Sequence, residues 1–318
     1  MKKLNYLATA LLGVALVACN NTVSVDDIQT SICTWQGDSR SAISITFDDA
    51  CPNQFSIAIP IMNEYGVRGT FFPVVNWLGG DYSNLKEVAR QGHEVGSHTM
   101  THPNLFELPE DSARSELNNS RMAIEENIGD DYKCLTIAYP YCVPPTNRDM
   151  IFDDYLSARH CDERIEDATP ADYSQISSFG LGDKYKYSTA EGMQASIFEP
   201  ARAKGGWAVL LIHEVENGPG YSPISSEEFR KVLQYLTDNA SDYWVAPMGE
   251  VTRYAKERDA ATVKVVDVAG KIGVKVELAE EMDEETYCIP LTVSIALKDG
   301  EAPVLMDIIP NADPVIIE

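Results

Sequence analysis

The chain has 318 residues, with 25 Lys+Arg against 49 Asp+Glu, and its formal net charge is −24. Hydrophobic residues make up 44% and charged residues 23%, which is typical of a folded globular protein and excludes a disordered one. Because so acidic a chain repels phosphate backbones and anionic headgroups, we expect no nucleic-acid partner and no membrane contact through the protein surface itself.

The first nineteen residues have the pattern of an export signal. Two lysines precede an apolar run over residues 4–18, which is shorter than the about 20 residues that a bilayer span needs. The run ends in Leu-Val-Ala-Cys19, which resembles a bacterial lipobox. We expect residues 1–19 to be a lipoprotein signal peptide with Cys19 lipidated, and the protein to be exported and anchored to an envelope membrane, facing the periplasm or the cell surface. A plain secretory signal is the alternative.

The segment after the signal and the cysteines leave alternatives open. Residues 20–40 form either a tether or an N-terminal extension that packs on the next domain. Export permits disulfides, and the six cysteines after Cys19 allow 15 pairings, among which the sequence does not choose. No CxxC pair is present, which argues against a thiolate zinc site.

Short apolar runs alternate with helical patterns over residues 41–260. The predicted strands are 42–47, 69–74, 94–97, 135–139, 155–159, 175–179, 207–212 and 243–246. The predicted helices are 55–65, 85–91, 111–128, 148–154, 190–203, 226–239 and 248–258. This alternation predicts an α/β domain whose parallel strands close, or nearly close, into a barrel with helices outside.

The pattern changes near residue 261. Strands are predicted at 263–268, 272–278, 289–297 and 304–309, with turns between them and no helices. Residues 261–318 are therefore expected to form a small all-β module, which is short for an independent core. The module has one tyrosine and no tryptophan, so structural packing is favoured over sugar binding.

Polar residues with ligand chemistry follow three of the predicted strands. Asp48-Asp49 follows 42–47, His98 and His102 follow 94–97, and His213 follows 207–212. Because catalytic groups of parallel α/β barrels lie at the carboxyl ends of the strands, we expect these side chains to meet. One helical turn would place both imidazoles of the His-x3-His pair on one side, and an extended segment would point the two aspartates apart. Together they supply two imidazoles and one carboxylate for a divalent ion, with a second carboxylate and a third imidazole left over as base and acid, which is the inventory of a metal-assisted hydrolase.

These motifs resemble the polysaccharide deacetylase (NodB-homology) family, carbohydrate esterase family four. The resemblance covers roughly residues 41–258 and rests on Thr-Phe-Asp48-Asp49, His98-Thr-Met-Thr-His102-Pro and Leu-Leu-Ile-His213. It implies a distorted (β/α) barrel, a divalent metal that is usually zinc, and an acetylated polysaccharide or oligosaccharide as substrate.

The resemblance also implies a role for each motif residue. The implied metal ligands are Asp49, His98 and His102. Asp48 would be the general base that takes a proton from water, and His213 the general acid that protonates the leaving amine. A backbone N–H at Tyr141 would stabilise the oxyanion. The implied reaction is hydrolysis of the carbon–nitrogen bond of an N-acetyl hexosamine unit.

Two family motifs are altered. The chain has Ala138-Tyr-Pro-Tyr-Cys142 where the family has Arg-x-Pro-Tyr-Gly, and the family's Asp-x-x-Asp-Trp stretch has no clear counterpart. The missing arginine orients and tunes the base in the family. Arg159, which closes the next predicted strand, is the expected substitute beside Asp48, with a salt bridge at the barrel rim as the alternative. Glu214 is expected either to support the site or to face solvent.

The sequence also gives expectations for the two remaining histidines, and the altered motifs point to alternative functions. His93 precedes its strand and is expected to be structural, and His160 is expected to lie outside the site. Loss of the motif arginine motivates an alternative function, an envelope-anchored carbohydrate-binding pseudoenzyme. An O-acetyl esterase on the same scaffold is a further alternative, because the same chemistry cleaves esters more easily than amides.

Overall fold

The computed structural model describes residues 23–129, 131–298, 300 and 302–317. The signal peptide and Cys19 lie outside these residues. Within the described part of the chain, no helix combines the length and the apolar character needed to cross a bilayer. The described residues divide into a larger unit, Thr34–Asp259, and a smaller unit that joins residues 23–33 to residues 260–317.

Strands and helices are numbered in chain order. The strands are β1 (Ile28–Ile32), β2 (Ser41–Asp48), β3 (Thr70–Phe72), β4 (Glu94–Val95), β5 (Thr136–Ala138), β6 (Ser157–Arg159), β7 (Ser178–Gly180), β8 (Trp207–Ile212), β9 (Tyr243–Val245), β10 (Thr262–Val268), β11 (Lys271–Glu277), β12 (Leu291–Leu297), β13 (Val304–Ile308) and β14 (Val315–Ile317). The α-helices are α1 (Ile59–Glu64), α2 (Ser83–Arg90), α3 (Glu110–Ile128), α4 (Ala190–Met193), α5 (Glu199–Lys204), α6 (Ser226–Asp238) and α7 (Met248–Ala260).

Strand β2 organises the larger unit. On one side it pairs in parallel with β8 along residues 42–47. On its other side it pairs with β9 through residues 41–43 and with β3 through residues 46–48. All eight residues of β2 are buried, which is typical of a parallel strand covered on both faces.

The parallel strands close into a ring. Strand β3 pairs with β4, β5 with β6, and β7 with β8. Parallel bridges from Ser97 to Ile137 and from Arg159 to Ile176 join the β5–β6 pair to its two neighbours. The order is therefore β2-β3-β4-β5-β6-β7-β8, returning to β2. This confirms the predicted (β/α) barrel, which is distorted because two strands share one side of β2.

Close side-chain packing determines how near neighbouring strands of the barrel lie to one another. The Phe47 and Phe71 rings stack with centroids 4.7 Å apart. A side chain at Gly96 would put its Cβ 2.8 Å from the carbonyl oxygen of Thr136 and into the Phe72 ring. Only glycine allows β4 and β5 to approach this closely, and that approach brings the residues after β4 to the end of β5.

Several predicted helices differ in type from the expectation. The predicted helix over 148–154 is a 3-10 helix, Arg148–Asp153. The helices predicted over 55–65 and 190–203 contain π-helical turns, Gln54–Ala58 and Gln194–Phe198. Each π turn leads into a helix whose second residue is proline. Proline has no N–H to donate to the preceding turn, which explains why the regular bonding pattern changes there.

The smaller unit contains only β-sheets and 3-10 or irregular segments among its described residues. One antiparallel sheet has the order β1-β12-β13, with Ile28 opposite Leu297, and the other has the order β10-β11-β14. The predicted all-β character of the C-terminal region is confirmed. Strand β1 comes from the stretch predicted as tether or extension, and it and β14 were not among the predicted strands.

Candidate metal centre and active site

The carboxyl ends of the barrel strands bring the predicted polar residues together. Asp48 is the last residue of β2, and Arg159 is the last residue of β6. His98 comes directly after the bridge between β4 and β5, and His213 directly after β8. Four strands that are far apart in sequence thus deliver these side chains to one end of the ring.

Asp49, His98 and His102 form a three-residue group suited to a cation. One ligand atom from each lies within 4.8 Å of the others. Asp49 Oδ1 is 3.7 Å from Nε2 of His98 and 3.9 Å from Nε2 of His102. These distances are long for hydrogen bonds, whereas tetrahedral ligands at about 2.1 Å from a shared zinc ion would lie about 3.4 Å apart.

The electrostatics of the group also fit a divalent cation. Asp49 Oδ1 is buried and has no hydrogen-bond partner among the described residues. Burial, together with the neighbouring Asp48 carboxylate, raises the pKa of Asp49 to about 7. Burial lowers the pKa of His98 to about 4, so its imidazole is neutral, which is the form that binds metals. A divalent cation would supply the positive charge that these residues lack.

A backbone carbonyl selects the tautomer of His98. Its Nδ1 lies 2.8 Å from the carbonyl oxygen of Ala138, the last residue of β5. A carbonyl only accepts, so Nδ1 carries the proton and donates it to this bond. The lone pair is therefore on Nε2, which faces Asp49. Such a partner on the second ring nitrogen is the usual way in which a metal-binding histidine is oriented.

The loop that carries His98 and His102 is not helical, so the expected helical turn was wrong. Thr99 and His102 have positive φ angles of 67° and 63°. The His102 N–H donates to Thr99 Oγ1 at 3.0 Å, and the N–H groups of residues 100 and 101 each donate to Glu116 at 2.9 Å. A carboxylate of α3 thus holds the loop in the conformation that turns both imidazoles inward.

Asp48 is buried beside Arg159. Its Oδ2 accepts a hydrogen bond of 2.6 Å from Arg159, which also donates to Thr46 Oγ1 at 3.1 Å. The Arg159 side chain is only 1% exposed. Burial alone would raise the pKa of Asp48, but the charge of Arg159 acts against it and the pKa is lowered overall. Asp48 is therefore held as a carboxylate.

The expectation that an extended segment would point the two aspartates apart was wrong. Asp49 has a φ of 73°, in the left-handed region, and so leaves the extended conformation of β2. Asp48 Oδ2 and Asp49 Oδ1 lie 3.8 Å and 3.7 Å from the same atom, Nε2 of His98. The turn after β2 therefore aims both carboxylates at one imidazole.

Gln54 was missed by the sequence reasoning. It is fully buried at the start of the first π turn, and its side-chain amide donates to the carbonyl oxygens of Asp48 and His213, the latter at 2.7 Å. One side chain therefore joins the ends of β2 and β8. A single glutamine at the start of an apolar helical pattern gives no signal of this role.

The His213 side chain is partly buried. Its Nδ1 is buried and has no hydrogen-bond partner within the described residues. Burial lowers the pKa of His213, and the Asp48 carboxylate acts in the opposite direction. The imidazole is thus kept neutral in the free protein, although the nearby Asp48 carboxylate favours its protonation.

Glu214 does not face solvent. Its carboxylate is buried and accepts hydrogen bonds from the N–H groups of Val215 at 3.1 Å and Gly220 at 3.2 Å. Both of these hydrogen bonds go to the loop after β8. Its structural effect is to hold the loop that carries Tyr221.

Exposed aromatic rings surround the centre. Trp77 and Tyr141 are 57% and 66% exposed, and their rings lie 5.0 Å and 4.7 Å from that of His102. Tyr221 is 48% exposed, with its ring 5.3 Å from that of His213. Large exposed aromatics on two sides of a buried polar centre offer flat apolar surfaces to a ligand.

A disulfide lies next to this rim. Cys142, in the turn after β5, is bonded to Cys161, in the loop after β6, with a Cα–Cα distance of 5.5 Å. This settles one of the pairings that the sequence left open. Cys51 and Cys134 are buried thiols.

The other two histidines lie outside this group. His93 is at the opposite end of β4, where its Nδ1 accepts from the Gly69 N–H at 3.2 Å and its ring packs on Phe71. His160 Nδ1 lies 3.6 Å from Asp162 in the loop after β6.

Comparison with known proteins agrees with the motifs. A family model described as polysaccharide deacetylase matches residues 36–151. A gellan lyase of Bacillus sp is 26% identical over 289 residues, which is 85% of this chain and 11% of that protein. The peptidoglycan-N-acetylmuramic acid deacetylase PdaC of Bacillus subtilis (strain 168) is 22% identical over 226 residues, 70% of this chain and 41% of that protein. The chain spans 11% to 41% of the length of the first curated relatives it matches.

A solved structure supports the fold. The crystal structure of a "putative polysaccharide deacetylase" from Mycobacterium smegmatis superposes with a TM-score of 0.55 at 18% sequence identity. The match covers 72% of this chain and 94% of that one. This likeness shows that the chain contains the (β/α)-barrel fold of that solved structure, and residues 36–151 are similar to the polysaccharide deacetylase family model.

Proposed function

We propose that this protein is a metal-dependent hydrolase that removes acetyl groups from a polysaccharide, with N-acetyl hexosamine units as the substrate. The observation that carries the proposal is the group of Asp49, His98 and His102 beside the buried Asp48. The proposed metal is Zn²⁺, which suits two neutral imidazoles and a carboxylate. When bound, it would supply Lewis-acid chemistry and lower the pKa of water.

The proposed steps assign one proton movement to each residue. Asp48, kept ionised by Arg159, accepts the proton of the attacking water. The N–H of Tyr141 donates to the developing oxyanion. His213 takes up a proton from solvent once substrate is bound and delivers it to the departing amine, because an unprotonated amide nitrogen is a poor leaving group, and Asp48 returns the proton of the water to solvent when the products leave.

The aromatic rim supports a sugar substrate. Trp77, Tyr141 and Tyr221 present exposed rings on two sides of the centre, where the apolar faces of hexose rings can stack. The names of two relatives support an acetylated amino sugar: PdaC, and a peptidoglycan-N-acetylglucosamine deacetylase of Bacillus cereus that is 31% identical over 81 residues. The net charge of −24 favours a neutral or cationic polymer.

The test is acetate release from N-acetylated chitooligosaccharides and peptidoglycan fragments, with zinc and with chelator. We expect release that chelator, Asp48→Asn and Asp49→Asn each abolish. His160→Asn is the matched control, an imidazole at the same end of the barrel, and should retain activity within about twofold. Glycan binding without release would instead support the pseudoenzyme alternative, and release from O-acetylated xylan alone would support the esterase.

We also propose that the protein is exported and lipid-anchored through Cys19, with no other membrane contact. The Cys142–Cys161 disulfide supports an oxidising compartment. Cys19→Ala should move the protein from the detergent phase to the aqueous phase in a phase-partitioning experiment. Unchanged partitioning would refute the anchor.

A further inference from the structure

The turn after β5 contains two consecutive non-glycine residues in the left-handed region. Tyr141 has a φ of 56° and Cys142 a φ of 59°. For residues with a Cβ this conformation costs free energy unless the surroundings impose it. The Arg-x-Pro-Tyr-Gly motif that this segment resembles has glycine, which adopts the conformation freely, at the position of Cys142.

The Cys142–Cys161 disulfide is the one covalent restraint on this turn among the described residues. Cys161 lies two residues after Arg159, in the loop that follows β6. On both sides of the cross-link the backbone is hydrogen-bonded into the barrel: the Tyr139 N–H donates to the Arg159 carbonyl at 3.1 Å, and the His160 N–H donates to Ile176 at 2.7 Å. The disulfide therefore ties the turn to a fixed part of the barrel wall.

The restrained turn is the one that carries the proposed oxyanion donor. The N–H groups of Cys142 and Val143 close the turn by donating to Tyr139 and Pro140, at 3.0 Å and 3.1 Å. These two bonds do not use the N–H of Tyr141. Since preorganised donors stabilise a transition state without reorganisation, the conformation of this turn should affect turnover more than substrate binding.

We propose that the Cys142–Cys161 disulfide replaces the turn glycine of the family motif: it holds the left-handed Tyr141–Cys142 turn, and so positions the Tyr141 N–H for the oxyanion. This proposal rests on the proposed function. Both cysteines are positioning residues. They are partly exposed, so a dithiol can reach the bond. The dithiol supplies two electrons and two protons, converts the disulfide into two thiols and is itself oxidised to a cyclic disulfide.

Two variants that both lack the disulfide separate positioning from general stabilisation. In Cys142→Ser/Cys161→Ser the turn has neither the cross-link nor a glycine. In Cys142→Gly/Cys161→Ser the cross-link is also absent, but residue 142 adopts a positive φ without strain. We expect the Ser/Ser variant to lose at least tenfold in kcat with KM within about twofold, and the Gly/Ser variant to return to within about threefold of the unaltered protein. Zinc content should be equal in all three.

Reduction gives a reversible version of the same test. A dithiol should lower the kcat of the unaltered protein to that of the Ser/Ser variant and leave the Gly/Ser variant unchanged. Equal kcat in all forms would overturn the proposal, and so would equal losses in both variants, since the cross-link would then act through stability and not through the turn.

A readout independent of turnover distinguishes failure of this proposal from failure of the proposed function. Amide hydrogen exchange at Cys142 and Val143 reports closure of the turn. We expect exchange at least tenfold faster in the Ser/Ser variant and near the original rate in the Gly/Ser variant. Unchanged exchange refutes the restraint itself. A protein that releases no acetate but shows the expected exchange pattern refutes the proposed function and with it the catalytic purpose, while the restraint stands.

Discussion

Arg159→Ala is the substitution that most directly tests the altered motif. It removes the guanidinium that donates to Asp48 at 2.6 Å and to Thr46 at 3.1 Å. The Asp48 carboxylate then remains buried without its countercharge. Its pKa should rise, because burial raises it and Arg159 is the largest influence that lowers it.

The expected magnitude is set by the hydrogen bond between Arg159 and the Asp48 carboxylate. A hydrogen bond to a charged group contributes about 1.5–3 kcal/mol. At 1.36 kcal/mol for each tenfold in rate, kcat/KM should fall about 10- to 150-fold. Breaking a buried ion pair by removing one partner costs about 3–5 kcal/mol, so the free energy of unfolding should also fall by an amount of this order. Arg159 donates to none of Asp49, His98 and His102, so zinc content should change little.

A relocated arginine makes the test specific. Ala138 is directly opposite Arg159 in the β5–β6 register, and it occupies the position of the family's arginine. Ala138→Arg/Arg159→Ala should therefore recover part of the activity that Arg159→Ala loses. Arg159→Lys should recover less, since lysine cannot span Asp48 and Thr46 with a planar fork. Arg148→Ala, at a more exposed arginine, is the control.

The assay is acetate release under steady-state conditions, with zinc content by elemental analysis and unfolding by urea for every variant. Parallel losses of zinc and of turnover in Arg159→Ala would show that the arginine only supports the fold. Activity unchanged by Arg159→Ala would refute the hypothesis that Arg159 takes over the role of the family's arginine. In either case the reasoning from the hydrogen bond to the base would be wrong.

Three further predictions concern stability and geometry. Burial lowers the pKa of His93 to about 4, below an unfolded value near 6.5. Because the unfolded chain therefore binds this proton at higher pH than the folded protein does, the free energy of unfolding should fall by about 3 kcal/mol between pH 6.5 and pH 4. In urea unfolding, the decrease in the free energy of unfolding at low pH should be smaller for His93→Gln than for the unaltered protein. An identical pH dependence in both proteins would contradict this prediction. Gln54→Leu, which deletes the donor shared by the Asp48 and His213 carbonyls, should lower kcat at least tenfold with zinc retained; normal kinetics would exclude a positioning effect. Zinc at 100 times its Kd should raise the free energy of unfolding by about 2.7 kcal/mol, and Asp49→Asn should remove most of this gain in thermal melts.

The barrel strands were predictable because parallel strands buried on both faces give continuous apolar runs. Every strand from β2 to β9 overlaps a predicted one, and the polar residues directly after three of them marked the centre. Strands β1 and β14 are short, with half-buried or alternating faces that give no such run. Their pairing depends on partners far away in sequence.

The site was predictable in its residue types and not in its local conformation. The positive φ angles at Asp49, Thr99 and His102 belong to turns that distant elements support, as where the N–H of Thr101 donates to Glu116, so spacing alone gave a helical turn that does not exist. Arg159 could be named because the motif lacked its arginine and the next strand ended in one. Gln54 could not be named, since its two partners are carbonyl groups that carry no sequence signal.

The pairing of β2 with three other strands has a consequence for partial unfolding. To release this strand, the ladders to β3, β8 and β9 must all be broken, whereas a two-residue strand such as β4 is freed by breaking far fewer bonds. Asp48, which ends β2, and Asp49, which follows it, are thus attached to the segment whose amides should exchange with solvent last. Fluctuations that open the barrel wall elsewhere would move imidazoles and the arginine while leaving these carboxylates in place.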